Sequence, residues 1–131
     1  MRIDPILRKA IAMDASDVHL VAGLPPAVRS GGEILAMEGD ALAAEELREL
    51  LYELLGGERR AAFERDKRAC FSTIFEDAAH IRVSLYYRLG RVEAAIRLRS
   101  MELRPLEELG LPESVARMTE HPNGLVLITG P

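Results

Sequence analysis

Between His80 and Arg104 the sequence carries six arginines, Arg82, Arg88, Arg91, Arg97, Arg99 and Arg104, against two acids, Glu93 and Glu102, in a chain whose net charge is −4. No lysine accompanies them. A guanidinium presents a planar fork of donors that fits the paired oxygens of phosphate or carboxylate, whereas an ammonium is a point charge. The choice of arginine therefore points to geometrically fixed anion contacts. A second stretch with chemical meaning runs from His121 to Pro131. Leu125 to Thr129 is a short apolar, partly β-branched run between Asn123-Gly124 and Gly130-Pro131, the pattern of a strand buried on both faces that leads into a Gly-containing loop. A phosphate-binding loop of the pattern G-x-x-x-x-G-K-[ST] begins in this way. Gly130 is then its first glycine, Pro131 follows it, and the Lys and Ser/Thr are expected beyond Pro131.

The other candidate groups are weaker. Cys70 is the only cysteine, so an internal disulfide is excluded, and three scattered histidines do not supply the partners of a zinc site. No metal site is expected, and Cys70 reads as a small buried hydrophobe. Asp17 and His19 stand two apart on one strand face. Such a pair anchors a strand end by hydrogen bonding to turn backbone more often than it does chemistry. Arg29 reads as a structural partner for a nearby acid.

The arginines need a scaffold, and alternation supplies one. Ile81, Val83, Leu85, Tyr87 and Leu89 match Val92, Ala94, Ile96 and Leu98 as one apolar face of a hairpin turning at Leu89-Gly90. The opposite face carries His80, Arg82, Ser84, Tyr86 and Arg88 against Arg91, Glu93, Ala95, Arg97 and Arg99. An even loop places Arg82 directly opposite Arg97. Like charges across a strand pair are destabilising, so the pair points to an anion between or above them, and splaying into solvent is the competing reading. Glu93 can neutralise one arginine of this face and no more.

Around the hairpin, Asp4-Pro5 predicts a helix start with Asp4 as cap, and Ile3, Ile6, Leu7, Ala10 and Ile11 share a face ending near Met13. Val18 to Val21 reads as a strand, and Ala27 to Ser30 and Glu33 to Met37 flank Gly31-Gly32 as a tight hairpin. Leucines at helical spacing predict a helix from about Ala43 to Leu55, stopped by Gly56-Gly57. A more charged helix follows from about Glu58 to Asp66. Phe71 to Phe75 is strand-like. Two Pro-bounded pieces, the second a short helix from Pro112 to about Glu120, read as a linker.

With 131 residues, 48% of them hydrophobic, the chain can bury a real core and is not expected to be disordered. The acidic balance argues against a general nucleic-acid binder. No run is long enough to span a membrane and no signal-peptide core follows Met1, so a cytoplasmic, non-inserted protein is expected.

Ala15-Ser-Asp-Val-His-Leu20, Gly23-Leu-Pro-Pro26, Arg29 and Gly32 together resemble the opening signature of the twitching-motility (PilT-type) ATPases, relatives of the type II secretion ATPases. The likeness continues through Phe71-Ser72, the Arg82 to Arg97 segment, Leu106-Glu-Glu-Leu-Gly-Leu111 and Gly124 to Pro131. It implies an α+β fold: a PAS-like antiparallel sheet with helices packed on it over residues 1–100. A linker with a short helix over 101–123 and the first strand and P-loop start of a RecA-like ATPase domain over 124–131 complete the implied organisation. The resemblance implies a ring-forming motor of the type IV pilus or of type II secretion. Its N-terminal domain supplies Arg82 and Arg97 to ATP phosphates as the catalytic arginines, and Gly130 and Pro131 contact the nucleotide. ATP and Mg belong to the full-length parent, with none expected on these residues alone. The implied partners are neighbouring subunits of a homohexamer and inner-membrane platform proteins of the pilus or secretion apparatus. The closeness of the signature to Met1 fits the PilT type, and hence retraction, better than a secretion ATPase. Relatives place an acid just before the Phe-Ser pair where this chain has Ala69-Cys70, which puts any role of that carboxylate in doubt. The alternative is a stand-alone PAS-like sensor or adaptor.

Overall fold

The computed structural model describes residues 2–101 and 104–130. The chain divides into two compact units, Met1–Met101 and Glu102–Pro131.

The first unit is built on one six-stranded antiparallel sheet. Its strands are β1 (Asp17–Leu20), β2 (Ala27–Ser30), β3 (Glu33–Ala36), β4 (Arg68–Phe75), β5 (Ala79–Arg88) and β6 (Arg91–Ser100), in the order β3-β2-β1-β6-β5-β4. Strand alternation makes one face apolar. Val18, Leu20, Val28, Ile81, Val83, Leu85, Ala94 and Ile96 are buried there with Ile3, Leu7 and Ala10 of the N-terminal segment and Leu47, Leu51 and Leu55. Leu7 and Ala10 belong to helix α1 (Asp4–Ala12), which Ile3 precedes, and the three leucines to helix α2 (Ala44–Leu55); both helices carry their apolar residues at helical spacing. Removing this much apolar surface from water is what holds the sheet and helices together.

Helix α3 (Gly57–Asp66) is different, because its sequence GERRAAFERD offers one large apolar side chain, Phe63, and that side chain is completely buried. The Phe63 ring stacks on Tyr87 at 5.4 Å and meets Tyr52 edge-on at 6.2 Å.

Two hairpins form at the positions the sequence marks. Gly31 and Gly32 both take positive φ between β2 and β3, as do Leu89 (φ 50°) and Gly90 (φ 76°) between β5 and β6. Two left-handed residues in a two-residue loop match the strand twist. The β5–β6 loop is thus even, and Arg82 pairs directly with Arg97.

Two details depart from the sequence reading. Asp4 does not cap α1. The helix already has right-handed geometry at Ile3, no side-chain cap bond forms, and Asp4 instead places its charge in the first turn, where the helix dipole favours it. Strand β4 begins at Arg68, three residues before the strand-like run, because pairing with β5 extends to Tyr86 and recruits residues of poor apolar pattern. That ladder also turns Cys70 outward: it pairs with Ser84 and is exposed, not buried.

The second unit contains a five-residue helix α4 (Glu113–Arg117) followed by a single 3₁₀ turn, Met118–Glu120. Residues 124–130 form no strand here. Their expected ladder has no partner among the described residues, and Leu125, Leu127 and Ile128 are 81%, 75% and 90% exposed. A strand needs neighbours to satisfy its backbone groups.

Candidate anion-binding face

The polar face of the sheet places a single row of side chains across five strands. Arg29 of β2 pairs with Asp17 of β1, Asp17 with Arg97 of β6, Arg97 with Arg82 of β5, and Arg82 with Ser72 of β4. Residues directly opposite in antiparallel strands point to the same side. All five therefore share one face, while their neighbours Val18, Val28, Ile96 and Val83 are buried on the other.

Asp17 is the acid of this row. Its Oδ1 accepts from Arg97 Nε at 3.2 Å, its Oδ2 accepts from the Ser16 hydroxyl at 2.8 Å, and Arg29 Nε lies 3.8 Å from Oδ2. Arg29 also donates through Nη1 to the Gly32 carbonyl at 3.4 Å. Arg29 thus has a nearby acid, as the sequence reading expects. Asp17, by contrast, binds side chains and not turn backbone. Burial works against its ionisation, but the Ser16 and Arg97 hydrogen bonds outweigh that cost and hold its carboxyl below the ordinary value.

Arg82 is held differently. Its Nε donates to Cys70 Sγ at 3.4 Å, and the Ser84 hydroxyl donates to the same sulfur at 3.7 Å. Those two donors hold the Cys70 thiol below its ordinary value. Among the described residues no carboxylate pairs with Arg82. Both central arginines are thus held through Nε, and among the described residues the Nη ends of both forks meet no acceptor.

The remaining arginines separate by their partners. Arg88 Nε donates to Glu93 Oε2 at 2.8 Å, and Glu93 is only 2% exposed, so this pair neutralises a buried carboxylate near the hairpin tip. Removing one partner of such a pair leaves an uncompensated buried charge. Arg88→Ala is accordingly expected to lower the melting temperature by several degrees and leave any phosphate chemistry intact. A melt unchanged from wild type, followed by circular dichroism beside Arg91→Ala, would show that Glu93 needs no partner. Arg91 stands opposite Arg88 beside the turn, and Arg99 opposite His80.

Ser72, His80, Ile81, Arg82, Arg97 and Arg99 line a hollow of about 370 Å³ on this face. Chemically it offers cationic forks, a hydroxyl and an imidazole to an anion. Gly130, the expected first loop glycine, lies in the second unit, and Pro131 is outside the described residues. Among the described residues no three His, Cys, Asp or Glu side chains gather as a metal site, and no helix is long and apolar enough to cross a membrane.

The sequence reading placed Arg82 opposite Arg97, as the strands pair, and missed Asp17 as the partner of Arg97. The signal for Ser72 and Cys70 was strand parity: both stand an even number of positions from each other on β4, opposite Arg82 and Ser84.

No family model matches the chain. The chain is 32% identical over 131 residues to the type IV pilus retraction ATPase PilT of Pseudomonas aeruginosa, covering 100% of this chain and 38% of that protein. It is 26% identical over 130 residues to the type IV pilus ATPase PilU of the same organism, covering 99% of this chain and 34% of the relative. A crystal structure of the pilus retraction motor PilT with bound ADP superposes with a TM-score of 0.72 at 32% identity, over 91% of this chain and 35% of the motor. The chain thus spans little more than a third of the relatives it matches. The resemblance drawn from the opening signature is borne out along the whole chain, and the α+β sheet is that of the N-terminal part of PilT.

Proposed function

From a chain that matches the N-terminal third of PilT-type pilus ATPases, we propose that it serves as the N-terminal, nucleotide-sandwiching domain of a ring-forming motor ATPase. Arg82 and Arg97 donate to ATP phosphates. The observation that carries this reading is the directly opposed arginine pair, each member held at Nε and lining a hollow on the polar face. Two like charges on directly opposed strand residues repel each other, and a polyanion between them relieves that repulsion. The solved PilT relative carries ADP, which supplies the class of anion.

In this reading ATP and Mg²⁺ are held by a P-loop that starts at Gly130-Pro131 and continues beyond them. Positioning and charge stabilisation dominate phosphoryl transfer, so these residues alone do not hydrolyse ATP. The working unit is a cytoplasmic homohexameric ring that engages inner-membrane platform proteins of a type IV pilus, with retraction favoured by the relatives. A sensor would need polar groups converging on an internal cavity, whereas the hollow beside Arg82 and Arg97 opens on the outer face of the sheet.

A steady-state phosphate-release assay tests the proposal. The full-length protein is expected to hydrolyse ATP only with Mg²⁺, and to lose turnover when the P-loop Lys is replaced. Turnover by residues 1–131 alone, or none by the full-length protein, contradicts it.

A further inference from the structure

Arg97 could have reached its ligand as a free, solvated side chain, yet its guanidinium is tied down. Asp17 and Arg97 are directly paired on β1 and β6, and the Leu98 N–H to Ser16 carbonyl bond at 2.8 Å locks the backbone beside them. Ser16 fixes the Asp17 carboxylate in turn through a 2.8 Å hydrogen bond. From Gly32, therefore, a chain of contacts runs through Arg29 and Asp17 to Arg97.

A guanidinium can grip two oxygens side-on, through Nε and one Nη, or end-on, through both Nη groups. With Nε already donating to Asp17 Oδ1, only the end-on fork is left for a ligand. We infer that Asp17 is the positioning residue for Arg97: it sets the guanidinium so that the Nη pair meets a phosphate oxygen end-on. This inference rests on the reading that Arg82 and Arg97 meet phosphate. Asp17 acts through Arg97 and does not itself touch the nucleotide. Because Asp17 also shares its charge with Arg29, the row retains a positive excess at its Arg97–Arg82 end, where among the described residues Arg82 meets the Cys70 sulfur and no carboxylate. Pre-fixed donors avoid reorganisation when transition-state charge develops, so the benefit falls on kcat more than on substrate affinity.

The test is a double-mutant cycle in the full-length protein, reading kcat and KM for ATP in Asp17→Ala, Arg97→Ala and the double variant, with Asp17→Asn and Arg91→Ala alongside. Asp17→Ala is expected to lower kcat by about ten- to a hundredfold, the scale of a misplaced catalytic group, with KM changed less than about threefold. Asp17→Asn, which keeps a neutral acceptor, should fall between Asp17→Ala and wild type. The double variant should be no slower than Arg97→Ala alone, because a positioning residue has nothing left to position. A purely structural Asp17 would instead give additive losses that track the melting temperature, and that result overturns the inference. If Asp17→Ala does not fold, Asp17→Asn replaces it in the cycle, and wild-type kcat there with a slow Arg97→Ala overturns the inference equally. Wild-type kcat in Arg97→Ala removes the arginine reading itself, an outcome distinct from either.

Discussion

On the proposed function, Arg82→Ala in the full-length protein is expected to lower kcat for ATP hydrolysis by roughly 10³-fold or more while nucleotide affinity changes little, a loss in the range of arginine fingers. The expectation follows from where charge grows. Phosphoryl oxygens gain charge toward the transition state, and a donor fixed beside them contributes more there than in the bound ground state. Arg97→Ala should act in the same direction and less strongly, because Asp17 already compensates part of its charge. Arg82 has no such carboxylate partner among the described residues. Lysine should rescue neither position, since an ammonium cannot reproduce the fork. Arg91→Ala on the same hairpin is the control, and single-turnover assays with separate affinity measurements distinguish the steps. Similar small losses at Arg82, Arg97 and Arg91 would describe a merely basic surface and leave no specific donors.

The second large effect is on stability. Phe63→Ala is expected to cost about 3–5 kcal/mol, the usual range for emptying a fully buried aromatic site. It is a large fraction of the roughly 5–15 kcal/mol that holds a domain folded. Helix α3 has no other buried side chain with which to keep its place, and the ring is gripped by Tyr52 and Tyr87. Urea denaturation should show the midpoint falling. Phe63→Leu should retain part of the loss, since leucine fills some of the same volume. A cost below about 1 kcal/mol would mean that α3 is held by its polar contacts, Glu64 to Tyr87 and Lys67, and not by the ring.

What could be read from the sequence was local. Alternation on both sides of Leu89-Gly90 placed Arg82 opposite Arg97, and Gly31-Gly32 marked its turn, because a hairpin's register is set by neighbouring residues and loop length alone. What could not be read depended on strand order. Asp17 meets Arg97 only because β1 pairs with β6, a contact between residues 80 apart in the chain, and no periodicity announces a partner at that distance. Cys70 failed for a related reason. Its burial looked settled by residue type, but β4 is an edge strand whose ladder with β5 fixes Cys70 on the polar side. Asp4 failed locally, since Ile3 was already helical.

That same strand order governs how the domain comes into being. The sheet's middle is made by the first strand and the last, β1 and β6, so β1 to β3 on one side and β4 to β5 on the other are two separate antiparallel pieces until β6 arrives. During synthesis the hairpin of β5 and β6 can zip up from its own turn. The early strands must wait with unsatisfied edges, because closing so long a loop costs entropy that local contacts do not repay. A nascent chain halted before Arg91 has no seat for Asp17, and the full row from Arg29 to Ser72 does not exist until β6 pairs with β1. The face proposed as a nucleotide contact thus also spans the seam between β1 and β6 along which the two pieces of the sheet are joined.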